Sequence, residues 1–237
     1  MTKLSIIIPN FNEENTIAEI LKKVAQAKLP EGIKKEIIIV DDGSNDNSKL
    51  KIQSSKFFKQ IKLLSHKKNM GKGAAIKTGL ESSTGDLIII QDADLEYNPA
   101  DYARLLEPIL RDQAKVVYGS RLIDYPLRLW GPDKTIMPFH LLANRGLTFF
   151  TNLLYGSKLT DMETCYKLFK KEVLQNIQLE ANGFEFEPEI TAKILKSNVA
   201  IAEVPIKVKL RTYREGKKIG IKDGFLAIWT ILKYRFI

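Results

Sequence analysis

The chain has 237 residues, 44% of them hydrophobic, with a formal net charge of +9. That size and mixture specify a globular chain with ample core, not a disordered one. The single cysteine, Cys165, excludes an intrachain disulfide framework and suits a reducing compartment. The excess of positive charge favours anionic partners: nucleic acid, acidic lipid surfaces or phosphorylated substrates.

The segment from Met1 runs straight into a strand-like run, so no signal peptide is expected, and no apolar run reaches the length of a membrane span. Leu4 to Ile8 is apolar and ends at Pro9, which predicts a first buried strand. Asn12 is expected to cap the next helix, with Glu13 and Glu14 in its first turn and Ile17, Ile20, Leu21 and Val24 as its apolar stripe. Pro30-Glu31-Gly32 turns the chain into a second strand, Glu36 to Val40, which ends in Asp41-Asp42-Gly43-Ser44. A helix from about Asn47 precedes a third strand near Ile61 to Leu64. Asn69-Met70-Gly71-Lys72-Gly73 then opens a helix to about Ser83.

Leu87 to Ile90 reads as a strand buried on both faces, and Gln91-Asp92-Ala93-Asp94-Leu95-Glu96 follows. If that stretch stays extended, Asp92, Asp94 and Glu96 share a face at the C-terminal edge of the sheet, where ligands of open α/β sheets bind. A helix from about Ala100 to Arg111 and a fifth strand, Lys115 to Tyr118, come next, ending in Gly119-Ser120-Arg121. This alternation predicts an α/β fold with a mostly parallel sheet and right-handed crossovers. Asp124 to Pro138 holds three prolines and reads as a loop. Helices are expected over Phe139 to Tyr155, Lys170 to Gln175, and from the Pro188 region to about Lys196. Ala200 to Lys209 alternates like an edge strand, and a last helix starts near Lys222.

Several clusters carry chemistry. Carboxylates at Asp92, Asp94 and Glu96 repel one another unless a cation joins them, and hard oxygen ligands suit Mg²⁺ or Mn²⁺. A solvated acidic turn would look the same. Asp41 and Asp42 can accept hydrogen bonds from a base or ribose, or simply cap a helix. The glycine-rich turn at Gly71 and Gly73 lets backbone N–H groups approach phosphate, or lets a helix pack closely on the sheet. Its spacing is neither that of a P-loop nor that of a dinucleotide fingerprint. Arg121, Lys167, Arg211, Arg214, Lys217 and Lys218 are candidate phosphate ligands, and Asp161 is a candidate base or orienting carboxylate. His66 and His140 lack metal-ligand spacing, and Cys165 reads as a small buried residue.

Asp41-Asp42-Gly43-Ser44, Asn69 to Gly73 and Asp92-Ala93-Asp94, in this order and after these strands, resemble family 2 glycosyltransferases. Gly119-Ser120-Arg121, Thr160-Asp161 through Lys167, Val204-Pro205 and the basic stretch Arg211 to Lys218 are similar to the dolichyl-phosphate mannose synthase and polyprenyl-phosphate branch. The resemblance implies one GT-A domain over 1–237: a Rossmann-like, mostly parallel sheet with helices on both faces. It would have a nucleotide-sugar half (1–122), an acceptor half (123–218) and a C-terminal amphipathic helix (219–237).

The resemblance further implies metal-dependent, inverting transfer from a UDP- or GDP-linked sugar to a polyprenyl or dolichyl phosphate. Pro9, Phe11, Glu13, Asp41 and Asp42 would hold the nucleoside, with Gly71 and Lys72 in the same binding site. Asp92 would lie beside ribose and diphosphate; Asp94, with Glu96, would bind Mg²⁺ or Mn²⁺. Arg121, Asp161 and Arg211 would shape the acceptor-phosphate site, and Lys218 matches a basic position there. Lys167 stands where many relatives have arginine, and the chain stops short of the transmembrane helices that many relatives carry. The last helix, with Phe225, Ile228, Trp229 and flanking Lys222, Lys233 and Arg235, suits either an interface on anionic lipid or packing on the domain or a second subunit. A peripheral position on the cytoplasmic face of a membrane is therefore expected. The alternatives are a family 2 enzyme acting on a glycan or protein, and a non-catalytic nucleotide-sugar binder. A nucleic-acid module is disfavoured, because no aromatic residues interleave with the basic stretch as a stacking platform requires.

Overall fold

The structure is a computed structural model that describes residues 1–125, 135, 137–211, 216, 218 and 220–237, the side chain of Ile221 excepted. The proline-rich stretch after Tyr125 and the positions Arg214 and Lys217 largely or wholly lie outside the described residues.

The apolar runs become strands of one sheet. Among the described residues these are β1 (Thr2–Asn10), β2 (Ile33–Asp41), β3 (Ile61–Ser65), β4 (Leu87–Ile90), β5 (Val116–Ser120), β6 (Lys167–Lys170) and β7 (Ile201–Pro205). Their order across the sheet is β3-β2-β1-β4-β6-β5-β7. Only β6 runs antiparallel, against β4 on one side and β5 on the other. The remaining pairings are parallel, and β7 is the edge strand expected there. Pro9 lies inside β1 opposite Val40, yet costs no hydrogen bond to β4, whose pairing with β1 ends at Ile7.

The helices are α1 (Ile17–Gln26), α2 (Ser48–Gln53), α3 (Lys72–Ser82), α4 (Tyr102–Leu110), α5 (Pro138–Tyr155), α6 (Lys171–Leu174), α7 (Phe186–Lys196) and α8 (Ile221–Phe236). They cover both faces. Ile37 and Ile39 join the main core with Ile17, Ile20, Leu21 and Val24 of α1. Ile38 and Val40 point the other way and pack on Ala75 of α3. The period of two along β2 thus separates two hydrophobic layers. Gly79 brings α3 onto β1: a Cβ there would run into the side chain of Ile7.

Four local expectations differ. Asn12 is not a helix cap; it takes φ 51° and its side chain accepts from the Asn45 amide, so α1 starts only after Thr16. Glu13 and Glu14 therefore precede the helix. The segment Asp92 to Glu96 is not extended: Leu95 takes φ 66°, and Asp94 Oδ1 accepts from the Glu96 amide at 3.0 Å in an Asx turn. Before α4 the chain makes a 3₁₀ turn over Pro99–Asp101, with Asn98 accepting from the Ala100 amide. Finally, Lys167–Lys170 forms β6, a strand that the sequence does not predict, and it takes Lys170 from the helix expected over Lys170 to Gln175.

Candidate active site

The C-terminal ends of β1, β2 and β4 meet where the site is built. Asn10, the last residue of β1, donates to Asp41 Oδ1 at 2.9 Å, and Ser44 Oγ accepts from the Asn12 amide at 3.0 Å. Glu13 is held through its own amide, which donates to Ser48 Oγ at 2.9 Å. These contacts lock the loop after β1 to the loop after β2.

Asp42 organises the glycine-rich turn. Its carboxylate accepts from the Met70 amide at 2.9 Å, from the Gly71 amide at 2.7 Å, and lies 2.6 Å from His66 Nδ1. His66 Nε2 is in turn 2.9 Å from Thr78 Oγ1. The backbone donors at Met70 and Gly71 thus face a protein carboxylate. Gly71 takes φ 99°, and a Cβ on it would strike the Asn182 carbonyl; one on Gly73 would lie 2.6 Å from the Ala181 carbonyl. Close packing of this turn on the backbone of residues 181–183 accounts for both glycines.

Lys72, the first residue of α3, reaches Asp92 Oδ1 at 2.9 Å and Glu187 Oε1 at 3.2 Å. Burial works against Asp92 as an anion, but the Lys72 ammonium holds its carboxyl below the usual range. Glu187 Oε2 takes a short contact from Lys167, whose ammonium also donates to the Met162 and Thr164 carbonyls. Lys167 is 0% exposed and its three N–H groups are spent inside the protein. The expectation that it is a phosphate ligand is therefore overturned: its charge balances Glu187.

Asp94 and Glu96 converge on Arg211 despite the turn between them. Arg211 Nη2 lies 2.8 Å from Asp94 Oδ2, Nη1 lies 3.1 Å from Glu13 Oε2, and the Arg211 amide donates to Glu96 Oε1 at 3.0 Å. Lys218 Nζ adds contacts to Glu13 Oε1 at 2.9 Å and to the Phe11 carbonyl at 2.6 Å. Burial, then the neighbouring Asp92 and Glu96 carboxylates, push the Asp94 carboxyl up to about 7, with Arg211 opposing. A second ion pair closes the far side. Arg121 Nε and Nη2 reach the two oxygens of Asp161 at 2.6 and 2.7 Å, and the Arg121 amide adds a third bond at 3.0 Å. Asp161 is 0% exposed.

Most of these groups surround one cavity of about 1830 Å³. Pro9, Phe11, Glu13, Asp42, Gly71, Lys72, Asp92, Asp94, Glu96, Arg121, Arg211 and Lys218 line it. Asp41 and Asp161 stand behind that wall, holding Asn10 and Arg121 respectively. Beyond Arg121 the cavity continues between α5 and α8, past Phe139, Leu147, Phe150, Phe225 and Ile228. Two wall residues went unassigned in the sequence. Glu187 sits in the first turn of α7 and is buried. Glu163 has Oε1 buried without a hydrogen-bond partner, and burial, opposed by Lys167, pushes its carboxyl up to about 7. Neither has a sequence signal beyond an acidic letter in a mixed segment.

The acidic wall fits a divalent cation in part. Asp94 and Glu96 offer hard oxygens, and the raised Asp94 carboxyl marks a place where added positive charge is favoured. Among the described residues no group of three or more His, Cys, Asp or Glu is arranged to hold a metal ion. Such a site suits Mg²⁺ or Mn²⁺, which take one or two carboxylates and fill the remaining positions with water and phosphate oxygens.

The fold is of the GT-A type. It superposes over 100% of this chain, and 81% of the other, on the Mycobacterium tuberculosis glucosyl-3-phosphoglycerate synthase solved with Mn²⁺, UDP and glucosyl-3-phosphoglycerate (TM-score 0.75, 19% identity). The same synthase has also been solved with Mg²⁺ and UDP. Residues 5–178 match the profile of glycosyl transferase family 2, and the chain belongs to that family. It is 30% identical to a UDP-N-acetylglucosamine–dolichyl-phosphate N-acetylglucosaminyltransferase of Methanococcus voltae, over 96% of this chain and 94% of that protein. It is 28% identical to a dolichol-phosphate mannosyltransferase of Pyrococcus furiosus, over 98% of this chain and 64% of that one. The protein is a glycosyltransferase.

Proposed function

We propose that this enzyme moves a sugar from a UDP- or GDP-linked donor to the phosphate of a polyprenyl or dolichyl lipid, with inversion, at an anionic membrane surface. The observation that carries this reading is the shape of the cavity: charged where β1, β2 and β4 end, mainly apolar between α5 and α8. A lipid phosphate has that polarity, whereas a glycan or protein acceptor gives the apolar end nothing to do.

In this reading Pro9, Phe11, Glu13 and Asp42 hold the nucleoside, with Asp41 supporting them through Asn10. Lys72 orients Asp92 towards ribose and diphosphate. Asp94 and Glu96 would hold Mg²⁺ or Mn²⁺, which supplies Lewis-acid neutralisation of the leaving diphosphate. Arg211 and Lys218 add positive charge beside the same phosphates and exclude water.

Arg121, fixed by Asp161, meets the acceptor phosphate. A phosphate monoester has its second ionisation near pH ~6, so at neutral pH it attacks as a dianion and needs no strong base. Both oxygens of Asp161 are engaged by Arg121, which makes it an orienting group. An acceptor oxygen bonds to the anomeric carbon as the bond to the diphosphate breaks, and the electron pair leaves on the nucleoside diphosphate.

No helix among the described residues is long and apolar enough to cross a membrane. Contact with lipid falls instead to α5 and α8, which expose Phe139, Phe149, Phe225 and Trp229. The lone, buried Cys165 accords with the cytoplasmic face.

The test is nucleoside-diphosphate release from a panel of UDP- and GDP-sugars, with Mg²⁺ or Mn²⁺, with and without a short polyprenyl phosphate. Release that requires both lipid and metal, with a glycolipid product, is the expected result. Release that ignores the lipid would sink the acceptor assignment.

A further inference from the structure

Asp161, Glu163 and Cys165 alternate along the loop that precedes β6. The first fixes Arg121, at the acceptor end of the cavity. The third donates its thiol to the Ile90 carbonyl and lines the cavity with Asp92, at the diphosphate end. Glu163 lies between them in the chain and lines the same cavity. Its Oε1 is buried and has no hydrogen-bond partner, an arrangement that is destabilising until something donates to it.

The nearby cations donate to other groups, not to Glu163. Arg121 gives its Nε, Nη2 and amide to Asp161, and the Lys167 ammonium is spent on Glu187 and two carbonyls. Burial acts against negative charge at this point, Lys167 and Arg121 oppose that, and the Glu187 and Asp161 carboxylates reinforce it. A phosphate would set a second anion against the Glu163 carboxylate. A neutral hydroxyl, which donates a proton and brings no charge, is the group that fits.

We infer that Glu163 reads a ring hydroxyl of the transferred sugar and so sets which nucleotide sugar this chain accepts. The inference rests on the transferase reading and refines the donor half of it. A site built to hydrogen-bond a hydroxyl rejects an analogue that lacks it, because its buried acceptor is then left unpaired.

The test uses the full chain and the donor that supports nucleoside-diphosphate release, together with analogues of that donor each lacking one ring hydroxyl. With the unmodified chain, one deoxy analogue is expected to lose about ten- to hundredfold in kcat/KM, the usual range for a hydrogen bond to a charged group. In E163A that same analogue and its parent should differ by less than about threefold, since the two deletions remove one interaction and are not additive. E163Q, which keeps an acceptor oxygen and the side-chain volume, should fall between and guards against a folding defect in E163A. Calorimetry with the free nucleoside diphosphate should give equal affinities for all three proteins. An E163A enzyme that keeps the full pattern of deoxy penalties overturns the inference, as does one that loses nucleoside-diphosphate affinity. A chain that turns over no nucleotide sugar overturns the transferase reading itself, and this inference with it, before any variant is made.

Discussion

Arg121 and Asp161 hold each other through three hydrogen bonds in a place that water scarcely reaches, so removing either partner strands the other's charge. Asp161→Ala should destabilise the fold by about 3 kcal/mol for that reason, and Asp161→Asn, which keeps one acceptor, by less. Urea midpoints of the two variants decide it; an unshifted midpoint in Asp161→Ala would mean the pair is solvated after all. Glu163 makes the opposite prediction. Burial pushes its carboxyl up to about 7, against 4.5 when unperturbed. The folded chain therefore holds a proton there that the unfolded chain gives up first. The contribution of this group is fully present below pH 4.5 and is lost as pH rises through about 7. Glu163→Gln should match the parent near pH 4 and exceed it by about 2 kcal/mol at pH 8, in paired denaturant titrations. Equal stabilities at both pH values would show that the carboxyl titrates normally.

The strands β1, β2 and β4 and the stripe of α1 were readable from the sequence because burial on both faces, or on one helical face, leaves an unbroken periodic trace. The antiparallel β6 was not. It is four residues long, it begins with a buried lysine, and its partners lie far away in the chain. Pairing across such separations leaves no local period. The acidic segment after β4 shows a different failure: the carboxylates do converge, but around Arg211 and through a turn at Leu95, not along a strand. Likewise the glycines of the Asn69–Gly73 turn were legible as a place of close approach, whereas Asp42 as the anion its amides meet was not. Gly79 offers the direct check on the packing of α3. Gly79→Ala drives a methyl into Ile7 and should cost about 1–3 kcal/mol. Ile7→Ala made in the same chain should cost less than it does alone, because it opens the space; strictly additive melting shifts would refute that contact.

The net charge of +9 and the apolar residues exposed on α5 and α8 act together. One stripe of α8 is spent inward: Ile231 is buried, Tyr155 donates to its carbonyl at 2.8 Å, and Lys233 pairs with Glu180 at 2.7 Å. Phe225 and Trp229 face outward, 71% and 63% exposed. Replacing both with alanine should cut partitioning onto anionic vesicles by about tenfold with little change in melting temperature. Added salt should weaken binding of the parent chain as well; a parent chain that never floats with such vesicles would remove the membrane from the account. The antiparallel strand inside the sheet also governs time. During synthesis β5 is complete at Ser120, yet its neighbours are Lys167–Lys170 and Ile201–Pro205. At roughly 5–20 residues per second, Val116–Tyr118 waits several seconds on the ribosome with both edges bare. Slower translation over that interval lengthens the time those bare edges can pair with another chain.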